Sequence, residues 1–292
     1  MSRHLDLILT ALAPAIWGSS YLITTELLPE GYPLTVAMLR ALPAGLLLLL
    51  IVRKLPEGMI WWGRVFLLGV LNFGFFWWML FEAAYRLPGG VAATVGAIQP
   101  LFVIFLASAV LSEKLRIISV FAALTGIGGV AFMVLSGEAK FDMIGILAAA
   151  LGAASMAFGT VLTRKWQPPV SLLTFTSWQL VAGGLILLPF SMILEPALPV
   201  LTVKNYAGFI YLGLIGAAFT YILWFRGISK IEPTKISVLG FFSPAAAVLL
   251  GWGILGQNLT ILQIVGLAFV IFSVWLGQQS GFRFNFKNKL TV

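Results

Sequence analysis

The sequence predicts an all-α integral membrane protein: ten transmembrane helices in two inverted five-helix repeats around a central cavity. Three observations predict it. The 292-residue chain is 60% hydrophobic and 10% charged, with a mean hydropathy of +1.03. Soluble domains carry about 25% charged residues, and a chain this apolar cannot cover its own surface in water. It holds ten apolar runs of about the 20 residues that a helix needs to cross hydrocarbon. Its two halves also repeat each other, Gly96 falling on Gly240 and Pro100 on Pro244.

The first run, Leu7–Leu28, follows Arg3 and contains Ala11-Leu12-Ala13, which imitates a signal-peptide cleavage site. Pro14 follows directly and the apolar stretch continues, so it reads as a spanning helix. Leu34–Val52 contains Arg40 and stops at Arg53-Lys54. Val65–Ala84 begins after Arg64. Val91–Leu111 carries Pro100, and Ile117–Leu135 follows Lys114 and Arg116. Met143–Thr163 stops at Arg164-Lys165, and Leu172–Ile193 comes next. Tyr206–Phe225 stops at Arg226. Ile236–Gly256 carries Pro244, and Ile261–Gly277 leads into a basic tail, 280–292. Short connections make consecutive helices antiparallel neighbours. Continuous runs of this length exclude a β-barrel, whose strands alternate.

Basic residues fix the expected orientation. With the N-terminus in the cytoplasm, the inner segments hold Arg3, Arg53, Lys54, Arg64, Lys114, Arg116, Arg164, Lys165, Arg226, Lys230, Lys235, Arg283, Lys287 and Lys289. The outer loops hold only Arg86, Lys140 and Lys204. That asymmetry predicts both termini in the cytoplasm, in a multi-pass protein of the cell membrane.

The repeat extends beyond the two prolines. Gly69 falls on Gly213, Phe75 on Phe219, Phe81 on Phe225, Leu111 on Leu255 and Ile117 on Ile261. Slightly different offsets bring Gly18 onto Gly159 and Arg40 onto Gln179. The predicted units are 5–135 and 143–279. Each holds five spans, an odd number, so the second enters the membrane from the opposite side. Two such copies can exchange conformations and open a central site to each face in turn.

Composition excludes several functions. There is no cysteine, and His4 is the single histidine, so no disulfide, zinc or haem site is expected. No phosphate-cradling loop, ATPase segment or Ser/His or Cys/His set is present, so neither an enzyme nor a cofactor is expected. The net charge of +8 is a topology signal rather than a nucleic-acid footprint. The expected partners are the lipid bilayer and a small-molecule substrate.

The chain resembles drug/metabolite transporters of the EamA type. The resemblance rests on Trp17-Gly18-Ser19-Ser20 in the first span and Arg40 in the second. It rests further on Ala97-Ile98-Gln99-Pro100 and Leu111-Ser112-Glu113-Lys114-Leu115 across the fourth and fifth. The second copy of the last motif reads Gly256-Gln257-Asn258-Leu259, an amide in place of the carboxylate, which speaks against a role needing the acid in both repeats. The resemblance covers about residues 5–279. It implies alternating access, with spans one to four and six to nine lining the cavity and five and ten outside. It is nearest the aromatic and neutral amino-acid exporters, so outward amino-acid transport is the implied function. Export of drug-like or other metabolites, and a scaffold or receptor without flux, are the alternatives.

Candidate residues follow from polarity at membrane depth. Pro100 and Pro244 are read as paired hinges, because proline inside a helix removes a backbone hydrogen bond. Arg40, basic and well inside a span, either binds a substrate carboxylate or holds the fold, the second being favoured. Trp17, Trp78 and Tyr221 are candidates to stack on a substrate. Ser19, Thr24, Asn72, Thr94, Gln99, Thr160, Gln179, Thr220, Ser237 and Ser243 are candidate neutral lining, though each hydroxyl or amide can instead bond its own helix. Glu82, near an outer end, suggests a gate or ordinary interfacial solvation. No carboxylate or histidine falls at mid-bilayer depth, so transport driven by a buried titrating carboxylate is not expected. Ala122, Gly126, Gly128 and Gly129 give the fifth span a small-residue face, for packing within its repeat or for a dimer contact.

Overall fold

A computed structural model describes residues 3–87, 89–134, 142–256 and 258–279. The expectations for Gln257 and for the tail 280–292 lie outside the described residues. Among the described residues, ten helices are long and apolar enough to span a membrane. They are α1 (Arg3–Leu27), α2 (Pro33–Val52), α3 (59–86), α4 (89–111), α5 (Ile117–Val134), α6 (Met143–Lys165), α7 (Leu172–Leu194), α8 (203–230), α9 (233–255) and α10 (Ile261–Gln278).

Sequence explains most ends. Pro33 opens α2 in the first turn, where a missing N–H is harmless. Asp142, Ser171, Thr202 and Thr260 cap α6, α7, α8 and α10 through side-chain oxygens. Gly256 closes α9 in the left-handed region, at φ 65°.

Four spans are not regular helices. α3 passes through a π-helical turn at Val70–Gly74, and α8 through a longer one at Tyr211–Phe219. α4 is broken between Gly89–Gly96 and Gln99–Leu111. α9 begins with Pro233–Ser237, passes through a 3₁₀ turn at Val238–Phe241, and continues as Phe242–Leu255. The prolines therefore do not kink continuous helices, as the sequence reading expected. Pro100 stands in the first turn of the segment after the break, and Pro244 is the third residue of its segment. Proline is tolerated there because the first N–H groups of a helix have no intrahelical acceptor.

The helices pair across the halves of the chain. α2 packs along α7, and α5 along α10. α1 lies against α8 and α9, while α6 lies against α3 and α4. That exchange of partners is what a duplicated unit expects. On α5, Gly126 and Gly129 of the small-residue face pack against the other half of the chain, while Gly128 meets nothing. A Cβ on Gly129 would lie 2.8 Å from the Gly266 carbonyl of α10, and one on Gly126 would enter the Phe241 ring of α9. Ser273 of α10 donates to the Ala122 carbonyl at 2.6 Å, so α5 is held by the other half of the chain.

Candidate functional site

The π turns create the polar centre. A π turn shifts the register of helix hydrogen bonds and often marks a functional position. In α8 the Gly216 carbonyl accepts the Thr220 hydroxyl at 2.9 Å and Arg40 Nη2 at 2.6 Å. The Arg40 guanidinium lies 4.6 Å from the Trp77 ring centroid, a cation–π contact in a site only 5% exposed. Thr220 also accepts the Trp17 indole N–H at 2.8 Å. Trp17, Thr220, Gly216 and Arg40 thus form one connected network, with the Tyr221 and Trp224 rings tilted against Trp17 at centroid distances of 4.9 and 5.2 Å.

The π turn of α3 does the equivalent work. Asn72 Nδ2 donates to Gln179 Oε1 at 2.8 Å, with Thr163 Oγ1 at 3.4 Å. Asn72 fits because Gly159 presents no side chain: a Cβ there would lie 2.0 Å from Asn72 Oδ1. Gln179 and Thr160 are fully buried. Gln179 Nε2 and Thr160 Oγ1 find no partner among the described residues, nor do Ser20 Oγ, Gln99 Nε2 and Trp224 Nε1. Those five groups belong to α1, α4, α6, α7 and α8.

The breaks in α4 and α9 face each other. A Cβ on Gly240 would meet Gln99 Oε1 at 3.9 Å, and one on Gly96 would meet nothing. α1 crosses α9 closely, with Gly18 against the Ser243 carbonyl. Residues 92–99 of α4 are all half-buried, as are Trp17, Ser19, Ser20, Thr24, Trp78, Glu82, Phe242 and Ser243. Toward the end that carries the N-terminus, the same helices are closed: Val103, Ile104, Ala107, Phe225, Ile228 and Ile236 are buried. Ion pairs cover that end. Asp6 binds Arg226 and Lys230, and Glu232 binds Arg116 and Lys235. Arg164 donates to the Ile228 and Ser229 carbonyls. Glu113 accepts the Thr234 hydroxyl. Its carboxyl sits above the usual carboxylate range, first because it is half-buried and then because Glu232 is near.

The sequence-derived candidates divide. Trp17, Arg40, Thr220 and Tyr221 come together, as do Asn72 and Gln179, with Thr160 one residue from Gly159 on α6. Trp78 does not join the Trp17 cluster; its ring lies tilted against Phe190 of α7, with centroids 4.7 Å apart. Glu82 is tied to Arg86, one turn on. Ser237 bonds the Thr234 carbonyl of its own helix. Ser19 bonds its own helix at Ile16 and also meets the Tyr211 hydroxyl at 2.7 Å. The expected central space is largely filled by rings: Phe73, Trp77, Tyr221 and Trp224 are at most 1% exposed. Tyr211, Thr163 and Phe73 were not among the candidates. Thr163 had a readable signal, one turn from Thr160 on the same face. Tyr211 and Phe73 had none, because their roles come from the π turns.

Comparison with known proteins agrees with this architecture. The model of the EamA-like transporter family matches twice, over residues 5–135 and 143–277. Protein PecM of Dickeya dadantii (strain 3937) is 45% identical over 260 residues, covering 88% of this chain and 87% of its own. The uncharacterized inner membrane transporter YedA of Escherichia coli (strain K12) is 29% identical over 269 residues, covering 89% and 86%. A solved crystal structure shares the fold at 17% identity, with a TM-score of 0.82 over 95% of this chain and 97% of that one. A bundle of ten spanning helices that matches one family model in each half, and a full-length relative at 45% identity, is a multi-pass membrane transporter, and the chain belongs to the EamA-like transporter family.

Proposed function

We propose that the protein exports amino acids or related small metabolites, preferentially aromatic or neutral ones, by alternating access between two inverted repeats, 5–135 and 143–279. The observation that carries this reading is the placement of the irregular segments. With Gly96 set on Gly240, the π turn at 70–74 falls inside the one at 211–219, and the break at 97–98 falls at the end of the 3₁₀ turn at 238–241. Irregular backbone is tolerated at membrane depth only where protein or a cavity satisfies it. Two such positions per repeat, facing a shared centre, are the parts that can bend while the rest moves as rigid helices. Pro100 and Pro244 act there by limiting each helix to one side of its break.

The lining supports a substrate with an apolar ring and neutral polar groups. Trp17, half-buried, offers a ring face, with Tyr221 and Trp224 packed behind it. Ser20, Gln99, Thr160 and Gln179 offer uncharged hydrogen-bonding atoms. Arg40 is a positioning residue in this scheme, since its charge is engaged by Gly216 and Trp77. With both termini in the cytoplasm, the ion-paired end is the cytoplasmic gate in its closed state and the half-buried face opens outward.

Flux of a panel of labelled amino acids from proteoliposomes tests the function. Saturable flux of aromatic or neutral members, reduced at least tenfold by Trp17→Ala, is expected. Retention of every panel member would overturn the substrate assignment. Single cysteines placed at positions 3 and 279 test the orientation, and no native cysteine interferes. Labelling of the two from opposite faces would exclude the inverted arrangement.

A further inference from the structure

A surface hollow lies away from the centre, where α2 ends. It has a volume of about 260 Å³ and is lined by Leu46, Leu49, Leu50, Leu55, Arg53 and Lys54. We propose that this hollow is a binding site for one anionic phospholipid, its acyl chain on the four leucines and its phosphate on Arg53 and Lys54.

Three features distinguish it from ordinary lipid-facing surface. First, the chain is bent to form it. Arg53 closes α2 in the left-handed region at φ 48°, a conformation that a residue with a Cβ seldom adopts. Its Nε donates back to the Leu50 carbonyl at 3.3 Å, so the guanidinium stays over the leucines. Secondly, the turn is anchored from below. The Trp178 indole donates to the Lys54 carbonyl at 2.6 Å, and Pro56 is buried beneath exposed neighbours. Thirdly, polarity changes across the hollow as it does across a lipid. Leu50 and Leu55 are 70% and 57% exposed, and Met59, Ile60 and Trp62 beside them are also exposed. Apolar side chains at that exposure, next to two cations, belong at the boundary between hydrocarbon and headgroups.

The charge favours an anionic headgroup over a zwitterionic one. Glu57 is the acid near the hollow, 3.5 Å from Lys54, and both partners are well exposed, so it competes weakly. Arg64 is occupied elsewhere, over the Trp61 and Trp166 rings.

The test is retention of phosphatidylglycerol, against phosphatidylcholine, by purified protein from mixed nanodiscs, read by native mass spectrometry. Wild type and Arg53→Lys/Lys54→Arg are expected to keep one phosphatidylglycerol. Arg53→Gln/Lys54→Gln is expected to hold it on the order of 30-fold more weakly, since each cation near the surface contributes about fivefold. Glu57→Gln, which removes the competing acid without touching the fold, is expected to tighten retention. Equal retention of the two lipids by wild type, or no change in either the double glutamine variant or Glu57→Gln, would overturn the site.

Discussion

Arg40 and Gln179 occupy matching places in the two halves, and each reaches the π turn of the other half. Arg40 donates to the Gly216 carbonyl, and Gln179 accepts from Asn72, the residue that aligns with Gly216 when Gly96 is set on Gly240. α2 and α7, which carry them, form the most extensive helix pair among the described residues. Both bonds are dry, so they hold the helices to one another at the places where the backbone is least regular.

Removing Arg40 should therefore loosen the bundle as well as alter transport. Arg40→Ala loses a charge-assisted hydrogen bond and a cation–π contact, together worth about 3 kcal/mol. Arg40→Lys keeps a charge but not a planar group over Trp77, and should lose about 1 kcal/mol. Unfolding in micelles followed by tryptophan fluorescence reads both. A lysine variant less stable than the alanine one would contradict this ranking.

The Asn72–Gln179 bond should be non-additive. Asn72→Leu or Gln179→Leu alone strands a buried amide, costing about 2 kcal/mol each. The double variant should lose clearly less than the sum, because neither amide is then stranded. Additive losses would mean that the two amides do not meet.

Neighbouring glycines on α5 should respond in opposite ways. A Cβ on Gly128 meets nothing within 4 Å, so Gly128→Ala should be neutral or stabilise by up to about 1 kcal/mol through helix propensity. Gly129→Ala drives a methyl against the Gly266 backbone, which cannot yield as a side chain can, and should cost about 1–3 kcal/mol. Thermal midpoints of the two variants decide the matter.

Glu195 should matter although it lies past the end of α7. Its two oxygens accept the Leu34 and Thr35 backbone N–H groups at 2.6 and 2.7 Å, capping α2 from the partner helix. Glu195→Ala should cost about 1–2 kcal/mol, the usual range for a helix cap. Hydrogen exchange at residues 34 and 35 should accelerate with it, while exchange at the far end of α2 stays unchanged.

Glu113 gives a pH signature. In the folded chain its carboxyl holds its proton to higher pH than the ordinary 4.5, through burial and then the charge of Glu232. Groups facing it are Lys114 and Arg116 on its own loop, Glu232 and Thr234 at the start of α9, and Arg164 from α6, while Lys235 pairs with Glu232. A raised folded value means that the native state binds the proton more tightly than the unfolded chain. That contribution is complete below the ordinary carboxylate range and is lost as pH rises through the raised value. Glu113→Gln, uncharged throughout, should be more stable than wild type at neutral pH and equal to it near pH 4. Midpoints measured at the two pH values check the sign; a constant difference would show that Glu113 does not titrate in this way.

The span count, the all-helical class and the family were legible in the chain because they depend on composition and local order. Apolar length sets the number of crossings, and a resemblance such as Trp17-Gly18-Ser19-Ser20 persists in a linear reading. Arg40 and Gln179 were legible as a pair through alignment of the halves. What they bond to was not, because Gly216 offers only a backbone carbonyl, which has no signature in sequence. The prolines were misplaced for a related reason: whether Pro100 sits inside a helix or at the start of one depends on where neighbouring helices let the chain break.

By itself, then, the sequence determined ten apolar helices, their alternation and the duplication of the unit, since hydrocarbon demands that each span satisfy its own backbone. The tertiary structure alone decided where that demand is relaxed. At the π turns, side chains from the opposite half bond the backbone, as Arg40 does at Gly216 and Ser155 at Leu71. Those contacts join residues far apart in the sequence, such as Arg40 and Gly216, and only packing brings them together.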